Sequence, residues 1–152
     1  RSLLTMAEQK ADDVLCELMA EVDHYQEIHH QMQVACKEGR FLLASTRRST
    51  GMTRISPCQF DENMTASAKV NIDESGSLSF QAPPWVVSKA KQEGTETKKS
   101  DNPINWFGVL VPPALRRSQR HFLNATELCV DLANSARRIK ELQTELESLT
   151  VG

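Results

Sequence analysis

Aromatic side chains are scarce in this chain, which has five Phe, two Trp and one Tyr among 152 residues. A thick globular core leans on such rings, so their scarcity, with a mean hydropathy of −0.43, favours long helices joined along narrow apolar seams. No window approaches the ~18 consecutive apolar residues of a membrane span, and no charged-then-apolar leader opens the chain. Direct membrane spanning is therefore not expected, and any membrane association is expected through a partner. The chain opens on Arg1, which marks Met6 as the candidate natural start. Positive charge is not in excess: a net charge of −2 and a pI near 6.1 remove the general attraction that nucleic-acid binding needs.

Chemistry-bearing motifs are missing too. Cys16, Cys36, Cys58 and Cys129 form no C-x-x-C pair, which excludes a zinc ribbon or a thioredoxin-like site and predicts reduced thiols, with Cys36 and Cys129 on helical seams. His24 and His29 point away from each other on a helix, where metal ligands want a spacing of three or four residues. The carboxylate pairs Asp12-Asp13, Asp61-Glu62 and Asp73-Glu74 have no neighbouring histidine or aromatic pattern, and there is no Gly-rich phosphate loop or nucleophile motif. No enzyme activity, cofactor or metal is expected.

What the chain does have is two heptad stripes. From Ala11 onward, Leu15, Leu18, Val22, Tyr25, His29, Met32, Cys36, Gly39 and Leu43 follow in alternating steps of four and three, the mark of a coiled-coil helix over residues 6–50. Gly39 keeps the register and reads as a point of close packing, Gly51 reads as the terminator, and His29 as a polar seam residue that sets register. Pro113 suits the first position of a second helix, over 113–150, where its missing N–H removes nothing. Its stripe runs Leu115, Ser118, Phe122, Ala125, Cys129, Leu132, Ala136 and Ile139, then Leu142, Leu146 and Leu149 after one skipped residue. Residues 1–40 hold four Lys/Arg against eight Asp/Glu, while 113–152 hold six against five, so the two stripes favour an antiparallel pairing electrostatically as well as apolarly.

Residues 52–87 predict a small β segment. Val70, Ile72, Leu78 and Phe80 alternate around Glu74-Ser75-Gly76 as a hairpin, and Arg54 to Phe60 is expected to add a strand bent at Pro57. Leu123, Leu128 and Val130 lie off the second stripe. Either this β segment or a helix from a partner covers them. Residues 88–101, SKAKQEGTETKKSD, read as a flexible solvated linker. The fold class is thus mainly α: a long antiparallel coiled-coil hairpin with a small β insertion.

Residues 102–112 carry the strongest clue to function. Asn102-Pro103-x-Asn105-Trp106-Phe107-Gly108-x-Leu110-Val111-Pro112 places two rigid aromatics side by side between prolines, and Leu115, Arg116, Gln119 and Phe122 follow. Arginines 116, 117 and 120 oppose the dipole at a helix N-terminus, which predicts acidic neighbours on the antiparallel helix. Two readings stand: a docking surface of Asn105, Trp106, Phe107, Leu110, Arg116, Arg120 and Phe122, or an aromatic pair that closes the base of the hairpin.

This stretch resembles the signature of a eukaryotic vacuolar-type proton-ATPase assembly factor of the coiled-coil-domain-containing class, the animal counterpart of a soluble yeast factor at the endoplasmic reticulum. A weaker echo covers Glu38 to Gly51. The resemblance implies a chaperone for the membrane sector of the pump, bound to an unassembled subunit. It also implies a small membrane-spanning assembly partner that holds the protein at the cytosolic face of the endoplasmic reticulum. The intermediate compartment, COPI vesicles, endosomes and lysosomes would be related sites, with acidification and iron homeostasis as downstream effects. The alternative is a general coiled-coil tether or homodimeric scaffold unrelated to proton pumps.

Overall fold

A computed structural model describes residues 2–87 and 102–150. Two helices dominate it, α1 (Ser2–Thr50) and α3 (Pro113–Thr150). At ~1.5 Å per residue α1 is about 70 Å long. Between them lie a two-stranded sheet, β1 (Lys69–Ile72) and β2 (Leu78–Gln81), and a single helical turn, α2 (Pro84–Val87). The linker expected over 88–101 lies outside the described residues.

α1 and α3 run antiparallel, and their cross-contacts step evenly along the pair. Lys10 meets Glu145 at 3.4 Å, Glu17 pairs with Arg138, and the Glu21 carboxylate accepts from the Ser135 hydroxyl. Further along, the Cys129 and Met32 sulfurs approach to 3.4 Å and the Ser118 hydroxyl donates to the Gly39 carbonyl at 2.8 Å. The heptad seams therefore serve each other within one chain.

The phase of the α1 seam differs from the sequence reading. Two seven-residue rows face α3: Leu18, Tyr25, Met32, Gly39 and Thr46, and Val14, Glu21, Ile28, Ala35 and Leu42. The first row agrees. The second lies one residue earlier than Leu15, Val22, His29, Cys36 and Leu43, of which Leu15 is 43% exposed. Both phases keep the three-four spacing and each row holds four apolar residues of five, so apolarity does not separate them. The structure buries Val14, Ile28 and Ala35 of the earlier row, while Val22, His29, Cys36 and Leu43 of the later one stay half-buried at its side.

On α3 the skipped residue falls between Leu132 and Ser135, not after Ile139, so Ser135 is buried and Ala136 is exposed. Cys129 is exposed apart from its contact with Met32. Glu21 with Ser135 is the polar layer of the seam. His29, the expected one, stacks on Tyr25 with ring centroids 6.3 Å apart.

Gly39 is a close-packing point: a Cβ there would sit 3.2 Å from the Phe122 ring. α1 ends at Thr50 because Gly51 takes φ +94°, a left-handed conformation that a helix cannot continue through.

The hairpin pairs Lys69 with Gln81, Val70 with Phe80, Asn71 with Ser79 and Ile72 with Leu78. Its turn is set by Asp73, whose carboxylate accepts from the Ser75 hydroxyl (2.6 Å) and the Ser77 N–H (2.7 Å), and by Gly76 at φ +78°. These bonds hold the Asp73 carboxyl below its ordinary range, the Ser75 hydroxyl contributing most.

Asn134 fastens the sheet to α3, donating to the Leu78 carbonyl (2.8 Å) and accepting from its N–H (2.9 Å), while Arg137 donates to the Ser75 carbonyl at 2.7 Å. The β segment thus folds back on the second apolar face of α3. Leu123 lines a cavity with Phe80, Pro83 and Val86, and Val130 is buried. The strand expected over Arg54 to Phe60 does not form. Pro57–Gln59 is a 3-10 turn instead, because proline offers no ladder donor and the segment has no free strand beside it.

Candidate functional site

The closed end of the hairpin, where α1 ends and α3 begins, gathers the residues that the sequence singled out. Pro103–Phe107 forms a 3-10 helix capped by Asn102, whose side-chain oxygen accepts from the Ile104 N–H at 3.2 Å. The same oxygen accepts from the Gln119 amide at 2.8 Å, which ties the motif to the second turn of α3. One short polar side chain thus ends one element and docks it on another.

Ile104 is the anchor, 3% exposed, in a cluster with Ile55, Val111 and Leu115 against which Leu43 and Phe107 pack. Sequence reading passed over Ile104 because Trp106 and Phe107 are larger. Its signal was available in the 3-10 spacing, which turns Ile104 and Phe107 to one side.

Trp106 and Phe107 are both half-buried. Phe60 wedges against them, with its ring 5.7 Å from Trp106 and 6.3 Å from Phe107 in tilted and edge-on arrangements. The aromatic pair therefore closes the hairpin base with one face each, and the Trp106 indole N–H is enclosed without an acceptor among the described residues.

What projects instead is the next pair. Gly108, at φ +111°, turns the chain outward, and Val109 and Leu110 stand 97% and 92% exposed. Val111 then returns to the core and α3 starts, with Leu115 N–H donating to the Pro112 carbonyl at 3.0 Å. Val109 was missed in the sequence because a valine between a glycine and a leucine has no distinguishing pattern.

The remaining candidates separate into two groups. Asn105, Arg116 and Arg120 are exposed at the closed end. Phe122 lies against Gly39 inside the hairpin and contributes packing, not surface. Acidic neighbours expected for arginines 116, 117 and 120 are not found: none of the three makes an ion pair among the described residues, where the inter-helix pairs fall on the shaft at Glu17 and Glu145.

Beneath the motif lies an apolar cavity of about 340 Å³, lined by Leu43, Trp85, Ile104, Phe107, Phe122 and Leu123 among others. Trp85 also borders a more polar cleft of about 280 Å³ with Asn102, Arg116 and Arg120. Its role was not read from the sequence, although Pro83-Pro84-Trp85 repeats the proline-framed indole seen at Trp106. Among the described residues no group of three or more His, Cys, Asp or Glu side chains gathers into a metal site, and no helix is long and apolar enough to cross a membrane.

Residues 86–125 match the family model described as Vma22/CCDC115. Along most of its length the chain is similar to proteins named vacuolar ATPase assembly protein VMA22. It is 26% identical to that of Bos taurus over 164 residues, which covers 92% of this chain and 89% of the relative. The Mus musculus protein is 27% identical over 161 residues (93% and 89%) and the Homo sapiens protein 25% over 158 (91% and 88%). The resemblance to the assembly-factor family is thus carried by nine-tenths of the chain, and of the family-model match residues 102–120 lie at the closed end.

Proposed function

We propose that this chain, similar over most of its length to vacuolar ATPase assembly proteins, is itself a non-enzymatic assembly factor for the vacuolar-type proton ATPase, acting on its membrane sector. One coincidence carries the reading. The family match, residues 86–125, includes the 102–120 segment of the closed end, and that end projects two aliphatic side chains beside two half-covered aromatics.

The partner-binding surface is Asn105, Trp106, Phe107 and Leu110, with Val109 added by the structure and Arg116 and Arg120 at its flank. It holds an unassembled pump subunit transiently, and releases it when the final neighbour competes. A small aliphatic and aromatic anchor with charges around it suits moderate affinity. A small membrane-spanning partner keeps the protein at the cytosolic face of the endoplasmic reticulum, and passage through the intermediate compartment and COPI vesicles supports acidification of endosomes and lysosomes and the iron release that depends on it. The alternative, a tether or homodimeric coiled coil, is less favoured because α1 and α3 bury their seams against each other within one chain.

Affinity purification from cells with mass spectrometry tests this. A pump subunit or a small membrane-spanning protein is expected among the enriched partners. Recovery of other proteins, or of this chain alone, would point to the tether. In the same assay Trp106→Ala is expected to weaken capture by roughly thirtyfold, the effect of losing about 2 kcal/mol at an anchor residue, with helical circular dichroism unchanged. Loss of helicity would instead assign Trp106 wholly to closing the hairpin.

A further inference from the structure

The charge of this molecule is divided between its two ends. Residues 40–68 and 102–120, which build the closed end, carry seven arginines and no lysine against only Asp61 and Glu62. The rest of the described chain carries six basic residues against fifteen acidic ones. None of the seven arginines makes an ion pair among the described residues, whereas the shaft pairs Lys10 with Glu145 and Arg138 with Glu17. Unneutralised positive charge is thus concentrated at one end of an otherwise acidic rod.

That same end is unusually apolar at its surface. Phe41, Met52, Phe60, Met64, Val109 and Leu110 are all exposed there, and Val109 and Leu110 are the most exposed large apolar residues described. Arginines interleaved with exposed aliphatic and aromatic side chains match an anionic lipid surface, which takes apolar groups at headgroup depth and cations on its phosphates.

We propose that the closed end rests directly on an anionic bilayer surface, with Val109 and Leu110 inserted at the level of the headgroups, arginines on the lipid phosphates and the acidic shaft directed away. An acidic protein surface fits less well. Protein anchors are mostly aromatic or Arg side chains seated in packed pockets, but here the aromatics are partly spent on the hairpin base and an aliphatic loop tip projects. A bilayer needs no pocket and no fixed register between charges. The repulsion between an anionic surface and the acidic shaft adds an end-on orientation. No helix crosses the membrane in this arrangement, and the contact is additional to any membrane-spanning partner. The inference takes from the proposed function only that the closed end is the working surface.

The test uses the purified full chain and sedimenting vesicles of phosphatidylcholine with about 30% phosphatidylserine, beside vesicles of phosphatidylcholine alone, at roughly physiological ionic strength. Co-sedimentation with the anionic vesicles only is expected, falling severalfold at roughly 0.5 M salt as screening shortens. Two double variants separate the contributions, Val109→Glu with Leu110→Glu and Arg48→Glu with Arg117→Glu, each checked for helicity by circular dichroism. Both are expected to lose at least fivefold in binding. Absence of binding to anionic vesicles, equal binding to both vesicle types, or binding that the Val109/Leu110 pair does not alter would each overturn the proposal. Pump-subunit capture that survives while vesicle binding is absent would overturn the lipid contact and leave the assembly role standing, with an acidic protein as the partner of this end.

Discussion

Gly39 shows how much one missing side chain decides. Its lack of a Cβ admits the Phe122 ring, and its carbonyl accepts from the Ser118 hydroxyl, so α3 packs directly on the α1 backbone there. Alanine at this position gains up to ~1 kcal/mol of helix propensity but presses a methyl against the ring at 3.2 Å. Phe122 borders the apolar cavity and has room to turn, so Gly39→Ala is expected to change stability by less than about 1 kcal/mol, while Gly39→Leu destabilises by roughly 1–3 kcal/mol through overpacking. Urea unfolding of both variants measures the pair. Leu142, 1% exposed near the open end, makes the opposite case: Leu142→Ala is expected to cost about 2–5 kcal/mol in the same experiment. Both residues stood in the seam as read from the sequence, because each keeps heptad spacing. Ile104 and Val109 did not stand out, because their importance comes from the 3-10 turn and from Gly108, which spacing alone does not reveal.

Among the elements, the two long helices were legible through local chemistry: Pro113 starts one, Gly51 ends the other, and heptad spacing fills both. The phase of α1 was not legible, because the row from Leu15 to Leu43 and the row from Val14 to Leu42 each carry four apolar residues of five. Only packing against the facing helix settles which row is buried. The hairpin was legible from alternation and Gly76, yet its attachment was not, since Asn134 lies 56 residues beyond Leu78. Asn134→Ala removes both of its bonds to Leu78, and is expected to release β2 from α3 at a cost of about 1–3 kcal/mol. Amide hydrogen exchange checks this: protection should fall at Leu78 while the shaft of α3 keeps its own. The turn also responds to pH. A carboxyl whose folded pKa is lowered contributes stability that is full above its unfolded value and is lost as pH falls through the folded one. The Asp73 turn is therefore expected to hold below the ordinary value of 3.8, and Ser75→Ala to move its loss upward, followed by the Gly76 amide shift in an NMR titration.

At the scale of the whole molecule, the chain is a rod with a dressed end. The antiparallel seam, from Lys10–Glu145 to Ser118–Gly39, fixes the termini of α1 and α3 so that the Trp106 motif, the Gly51 loop and the first turns of α3 meet at one place. The sequence made the motif visible and left two roles open for it, docking a partner and closing the hairpin base. The aromatics seal the base, and the exposed Val109–Leu110 tip follows from the turn at Gly108. The central claim is that a component of the vacuolar proton ATPase is engaged at this end and not along the shaft. Site-specific photo-crosslinking in cells tests it most directly, with the crosslinking residue placed at position 105, exposed in the partner surface beside the lipid-facing tip, in one variant and at position 19, on the exposed shaft of α1, in the other. A crosslink to a pump subunit is expected from position 105 and none from position 19. A pump subunit captured from the shaft, with position 105 silent, would contradict this.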